Sequence, residues 1–201
     1  DNMKRVLILT ITAVAFTCAE ASAHSWLDAL KSAASTAIDQ VTGGKLTEKG
    51  IIGTWNYKQP GVKLSSSDAL SELAASAASS TIQGKLATYY SKVGIKAGAC
   101  SFTFNSDGTF SSRFGQKTAT GTYTFDTSTY KLSLKYNSGL LNLGAIPAYA
   151  YMNGTNLQIV FPMDKLLTIL TSLGSSIDSL STITTLLQKY DSVKIGFEFS
   201  K

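Results

Sequence analysis

The sequence predicts a mostly β fold with helical insertions, an eight-stranded antiparallel up-and-down barrel flanked by helices. Three observations carry that expectation. Apolar and polar residues alternate with period two in eight short runs, the pattern of strands with one buried and one wet face. The dipeptides Asp107-Gly108 and Asn153-Gly154 fall between neighbouring runs, where tight hairpins need them. Two stretches with helical spacing are inserted, one after the first run and one before the last. Open edges on so many strands invite aggregation, and closure into a barrel removes them.

Residues 1–23 read as a secretory signal. Lys4 and Arg5 form a positive start, Val6 to Thr17 is apolar, and Ala21-Ser22-Ala23 offers the small residues of a cleavage site. Export to the periplasm or the cell surface of a Gram-negative bacterium is therefore expected, with a mature chain from His24. Lipoprotein processing at Cys18 is the rival, but Ala15, Phe16 and Thr17 depart from the pattern it needs. Cys100 then remains alone, which excludes an internal disulfide.

Residues 24–50 are expected to form an amino-terminal helix and linker, and residues 51–201 the barrel. Ser25 caps a helix to Val41, with Trp26, Leu30, Ala33, Ala37 and Val41 on one face, and Gly43-Gly44 stops it. The first strand is Ile51–Tyr57, with Ile51, Gly53, Trp55 and Tyr57 on one face, and Gln59-Pro60-Gly61 ends it. A helical insert rich in Ala and Ser covers 66–92, capped by Ser66 or Ser67. The meander follows. Cys100, Phe102 and Phe104 alternate with polar residues, then Phe110, Ser112 and Phe114, then Gly121, Tyr123 and Phe125, then Tyr130, Leu132, Leu134 and Tyr136. Leu140–Ile146 reads as an apolar loop. Pro147–Met152 and Leu157–Phe161 form a hairpin about Asn153-Gly154. Pro162 opens a second helical insert over 163–190, which Gly174-Ser175-Ser176 splits or kinks. Val193, Ile195, Phe197 and Phe199 mark the last strand.

At this point the chain resembles the lipocalin-like, or calycin-type, barrels. Gly53-Thr54-Trp55 matches their Gly-x-Trp pattern on the first strand. Phe104-Asn105-Ser106-Asp107-Gly108-Thr109-Phe110, followed by Gly121-Thr122-Tyr123, is similar to hairpins of the short lipocalin-like domains secreted by gut-dwelling Gram-negative bacteria, many of unknown function. The likeness covers roughly Ile51 to Phe199. It implies that Gly53 and Trp55 close one end of the barrel, with Trp55 packed under a basic side chain of the last strand, here Lys194. Two departures stand out: lipocalins have no long helix after the first strand, and their disulfide is absent here.

Catalytic and metal constellations are not expected. His24 is the single histidine, so a Ser-His-Asp or Cys-His site and a multi-histidine metal site have no imidazole to use. The acids occupy turns, helix starts and outward strand positions: Asp107 and Asp126 in turns, Asp68, Asp164 and Asp178 near helix starts, and Glu198 away from the apolar face. No cofactor is called for. The formal net charge is +5, and removing the signal takes away two charges of each sign. Arg113 is then the only arginine, and the lysines are scattered, which argues against nucleic-acid recognition. The strands are too short for an outer-membrane barrel, and the late helix lacks the basic face of a membrane-surface helix. Cys100 reads as a buried small hydrophobe.

The candidate site is the apolar interior. Trp55, Tyr57, Phe102, Phe104, Phe110, Phe114, Tyr123, Phe125, Leu132 and Leu134 are expected to line it, with Ser112 and Gly121 leaving room. Barrels of eight strands are either filled by side chains or hold one small ligand. Two functions follow: a monomeric, non-enzymatic module enclosing a small apolar or amphipathic ligand, or an envelope protein with a filled barrel and a partner surface on its helices.

Overall fold

A computed structural model describes residues 39, 42–64, 69–139, 144–174, 181, 184, 185, 188 and 193–201. The expected signal with Cys18, and all of the expected amino-terminal helix except Asp39, lie outside the described residues.

Eight strands run β1 Gly53–Leu64, β2 Cys100–Phe104, β3 Thr109–Phe114, β4 Lys117–Asp126, β5 Lys131–Gly139, β6 Gly144–Asn153, β7 Asn156–Phe161 and β8 Val193–Ser200. Each pairs antiparallel with the next, and β8 returns to β1, closing the barrel. Among the described residues three helices accompany them: α1 Lys45–Gly50, α2 Ala69–Lys92 and α3 Met163–Ser172. The pairing Gly53↔Phe104 puts the start of β1 beside the β2–β3 turn, and Leu64↔Val193 puts its end beside the start of β8. The hairpin turns after β2, β4 and β6 therefore share the lower end with the start of β1. The connections through α2 and α3 share the upper end.

β1 does not stop at Gln59-Pro60-Gly61 as expected. It pairs with β2 only from Gly53 to Asn56, then follows β8 alone from Gln59 to Leu64, past a bulge at Tyr57/Gln59. With a neighbour on one side only, Pro60 leaves no ladder bond unmade. Gly61 lies opposite Gly196. A Cβ on Gly196 would fall 2.1 Å from the Ile159 carbonyl oxygen, so only glycine lets β7 and β8 approach this closely.

β6 likewise starts earlier than expected. Gly144 to Ile146 belong to the strand rather than to a loop. Pro147 is tolerated because β6 pairs with β7 only from Tyr149 onward.

α1 lies within the expected linker. Gly43 and Gly44 adopt left-handed conformations that turn the chain into it. Asp39 anchors it: Thr47 donates its backbone N–H to Asp39 Oδ1 at 3.1 Å and its hydroxyl to Oδ2. Met152 in turn donates its N–H to Thr47 Oγ1 at 3.3 Å, tying α1 to β6 at the lower end.

α2 buries Ile82, Leu86 and Tyr90, and Gln83 donates to the Pro60 carbonyl at 2.9 Å. α3 buries Leu166, Ile169 and Leu170. It ends at Ser172, and Gly174 turns away with a left-handed φ of 98°, as Gly174-Ser175-Ser176 led us to expect. Beyond it, only residues 181, 184, 185 and 188 of the expected helix are described. There Gln188 donates its N–H to the Thr184 carbonyl at 2.9 Å, a helical spacing.

Candidate functional site

The inward faces of the strands deliver most of the expected lining to one place. Trp55, Tyr57, Phe102, Phe104, Phe110, Ser112, Phe114, Leu132 and Leu134 are all buried. Tyr123 and Phe125 keep the same alternation but sit near the lower rim, where they are only partly covered. Tyr123 donates its hydroxyl to the Asn105 carbonyl at 2.8 Å, which fixes it to the β2–β3 turn.

These rings touch one another. Phe102 lies 5.7 Å from Phe104, 6.3 Å from Phe110, 5.8 Å from Phe114 and 5.5 Å from Phe199, centroid to centroid. Phe197 lies 6.1 Å from Tyr57, 5.3 Å from Tyr90, 5.8 Å from Phe114 and 6.0 Å from Phe161. Rings at such separations are in direct contact, so no ligand fits between them. The network runs from β2 and β3 across to β7 and β8, and Tyr90 of α2 joins it from the upper end.

Phe161, Phe197, Phe199, Tyr136 and Tyr90 are the members the lining set missed. The first four stand on alternating apolar faces that were legible in the sequence. Tyr90 was legible only as part of a helical stripe, and its place in the core depends on how α2 crosses the barrel. Its hydroxyl donates to the Gly196 carbonyl at 3.0 Å. Burial holds the phenols of Tyr57 and Tyr90 well above the ordinary tyrosine range, with their mutual repulsion adding at Tyr90.

Gly121 does not leave room. A Cβ there would sit 2.8 Å from Phe110 Cε1 and 2.0 Å from the Lys135 carbonyl oxygen, so the ring and the neighbouring strand already fill the space. Ser112 brings an aliphatic hydroxyl to the lining. Its Oγ is buried with no partner at hydrogen-bonding distance. The phenol of Tyr136 is pushed up to about 12 by burial, and the nearby Ser112 hydroxyl works against that shift.

The end closure is also corrected. Trp55 donates its indole N–H to the Ile51 carbonyl at 2.8 Å, and the cation over its ring is Lys201, 4.8 Å from the ring. Lys201 also donates to the Ile52 carbonyl at 3.2 Å and runs past Gly53, with Cε 3.3 Å from where a Cβ would be. Lys194 instead sits 4.7 Å over the ring of Tyr149. The cause is strand direction. β8 runs against β1, so Lys194 faces Lys63 at the upper end while Trp55 lies at the lower.

Among the described residues the carboxylates do not converge. Asp107 Oδ1 accepts the Thr109 N–H at 2.9 Å and its hydroxyl at 2.6 Å, which holds the Asp107 carboxyl below its ordinary range. Asp126 is held down in the same way, first by the Ser128 hydroxyl. Glu198 points to the outer wall as expected, yet it is only 3% exposed. Four side-chain amides donate to it: Gln59 and Asn156 to Oε1 at 3.1 and 3.0 Å, Asn153 and Gln158 to Oε2 at 3.2 and 3.1 Å. Those donors come from β1, β6 and β7, so the carboxylate ties the strands around β8. Cys100 is buried, and burial pushes its thiol up, away from the nucleophilic thiolate. Among the described residues no three His, Cys, Asp or Glu side chains are placed to hold a metal ion. Among them too, no helix is long and apolar enough to cross a membrane.

Comparison with known proteins gives one family match. A family model described as a lipocalin-like domain (DUF4923) matches residues 28–201. A solved structure of a DUF4847 family protein from Bacteroides vulgatus is similar at 16% identity, covering 77% of this chain and 96% of that chain, with a TM-score of 0.38. No curated protein matches the chain.

Proposed function

The chain belongs to the DUF4923 family of lipocalin-like domains, and on that premise we propose that it is an exported, non-catalytic protein. Its barrel is a filled scaffold, and its recognition surfaces lie outside the lumen. The observation that carries this reading is the ring network through Phe102 and Phe197, whose members touch from wall to wall. Export rests on the sequence pattern from Lys4 to Ala23. The non-catalytic reading rests on the described carboxylates of Asp107, Asp126, Asp164 and Glu198, which are engaged in two turns, a surface pair and the amide cage. Native mass spectrometry of protein purified from its own cells tests the reading. The expected result is the mass of the bare chain. A stoichiometric apolar passenger that denaturation releases would overturn it.

A second reading, enclosure of one small amphipathic molecule, has one observation in its favour. The buried Ser112 hydroxyl lacks a partner, and a ligand's polar head would supply one. In that case the Ser112→Ala variant loses the passenger while keeping its fold.

A further inference from the structure

The outer wall carries aromatic and cationic groups in an arrangement that the filled barrel does not require. Tyr149 and Tyr151 alternate on β6 with Ala148 and Ala150, which are fully buried, so both rings face outward. Tyr130 stacks on Tyr151, with centroids 5.2 Å apart and planes 25° from parallel. The ammonium of Lys63 lies 4.7 Å over Tyr151, and that of Lys194 lies 4.7 Å over Tyr149. Both lysines come from strands beyond β7 and stand directly opposite each other in the β1–β8 ladder. Like charges in that position repel. Exposed Lys131, opposite Tyr149 on β5, adds a third cation.

Two described carboxylates near this face are engaged with other groups. Glu198, four residues from Lys194 along β8, is bound by four amides rather than by a lysine. Asp39, which meets the Tyr130 hydroxyl, is buried against Thr47. Tyr130 itself is held at φ 59°, the one left-handed residue other than glycine among those described. A bulky side chain there costs about 1–3 kcal/mol, and the turn would take glycine without strain. What the strain secures is a third ring stacked on Tyr151.

We propose that this face of β5, β6 and the two lysines binds an anionic glycan. The proposal rests on the reading that recognition takes place outside the lumen. Tyrosine faces suit the C–H face of a sugar ring, and the ammonium groups suit its carboxylates or sulfates. An anion draws Lys194 off Tyr149, which bares that ring for stacking in the same step. Half-covered rings and cations on one face fit a sugar acid better than a phosphate alone, which needs no rings, or a neutral sugar, which needs no lysines.

The test is calorimetric titration of the full chain with tetragalacturonate, against maltotetraose, inorganic phosphate and phosphatidylglycerol vesicles. Saturable binding of tetragalacturonate is expected, at least tenfold tighter than any of the other three and at least tenfold weaker in 0.5 M salt. Tyr151→Ala and Lys194→Gln should each weaken it at least tenfold, and Lys92→Gln, whose ammonium lies over Tyr89 on α2, should not. Tyr149→Phe keeps the ring and should keep binding, which guards against a folding defect in the alanine variant. Absence of binding, binding untouched by Tyr151→Ala and Lys194→Gln, or equal binding of vesicles or phosphate would each overturn the proposal. None of these outcomes bears on the mass of the purified chain, so the filled-barrel reading stands or falls separately.

Discussion

Lys194 and Lys201 stand at opposite ends of β8, and only Lys201 reaches Trp55. An exposed cation–π contact contributes about 0.5–1 kcal/mol. Lys201→Ala should therefore lower stability to denaturant by about that amount and change the fluorescence of Trp55, while Lys194→Ala leaves that fluorescence unchanged. Glu198 makes a sharper case. Removing the carboxylate strands four amides in a site that admits little water, so Glu198→Ala should cost about 1–3 kcal/mol in equilibrium unfolding. Glu198→Gln keeps an acceptor oxygen and should lose less. The outward position of Glu198 was legible from alternation. Its burial was not, because Gln59, Asn153, Asn156 and Gln158 are far apart in sequence and converge only when β1, β6 and β7 close around β8.

At the scale of the element, alternation located all eight strands, and the turns at Asp107-Gly108 and Asn153-Gly154 set their order. The errors share a cause. Pro60 and Pro147 were read as strand boundaries, yet each lies in a strand segment with one neighbour, a condition set by the register of other strands. The glycines divide by surroundings in a way no sequence pattern reveals. Gly121 faces the Lys135 carbonyl and the Phe110 ring, whereas Gly84 on α2 has open space where a Cβ would go. Gly121→Ala should lower stability by about 3 kcal/mol or more through overpacking. Gly84→Ala should raise it by about 0.5–1 kcal/mol, since alanine favours the helix. Paired thermal melts of the two variants check both signs.

For the whole molecule, the interior sets the response to alkali. Tyr136 has a folded-state value of about 12 against an ordinary value of 10.0. Between those limits the unfolded chain releases a proton that the folded chain keeps, so stability falls as pH rises from 10 toward 12 and is unaffected below 10. The gap of about two units corresponds to about 2–3 kcal/mol. Tyr136→Phe should lessen that decline in urea unfolding curves collected across the window, with buried Tyr57 and Tyr90 supplying the rest. The same packed interior is the central claim. Titration of the full chain with benzene and with lauric acid, followed through the aromatic carbon resonances of Phe102 and Phe197, tests it most directly. Neither ligand should shift those resonances in the intact barrel, whereas Phe102→Ala should open a dry cavity that takes up benzene. Saturable one-to-one shifts in the unaltered chain would contradict the account.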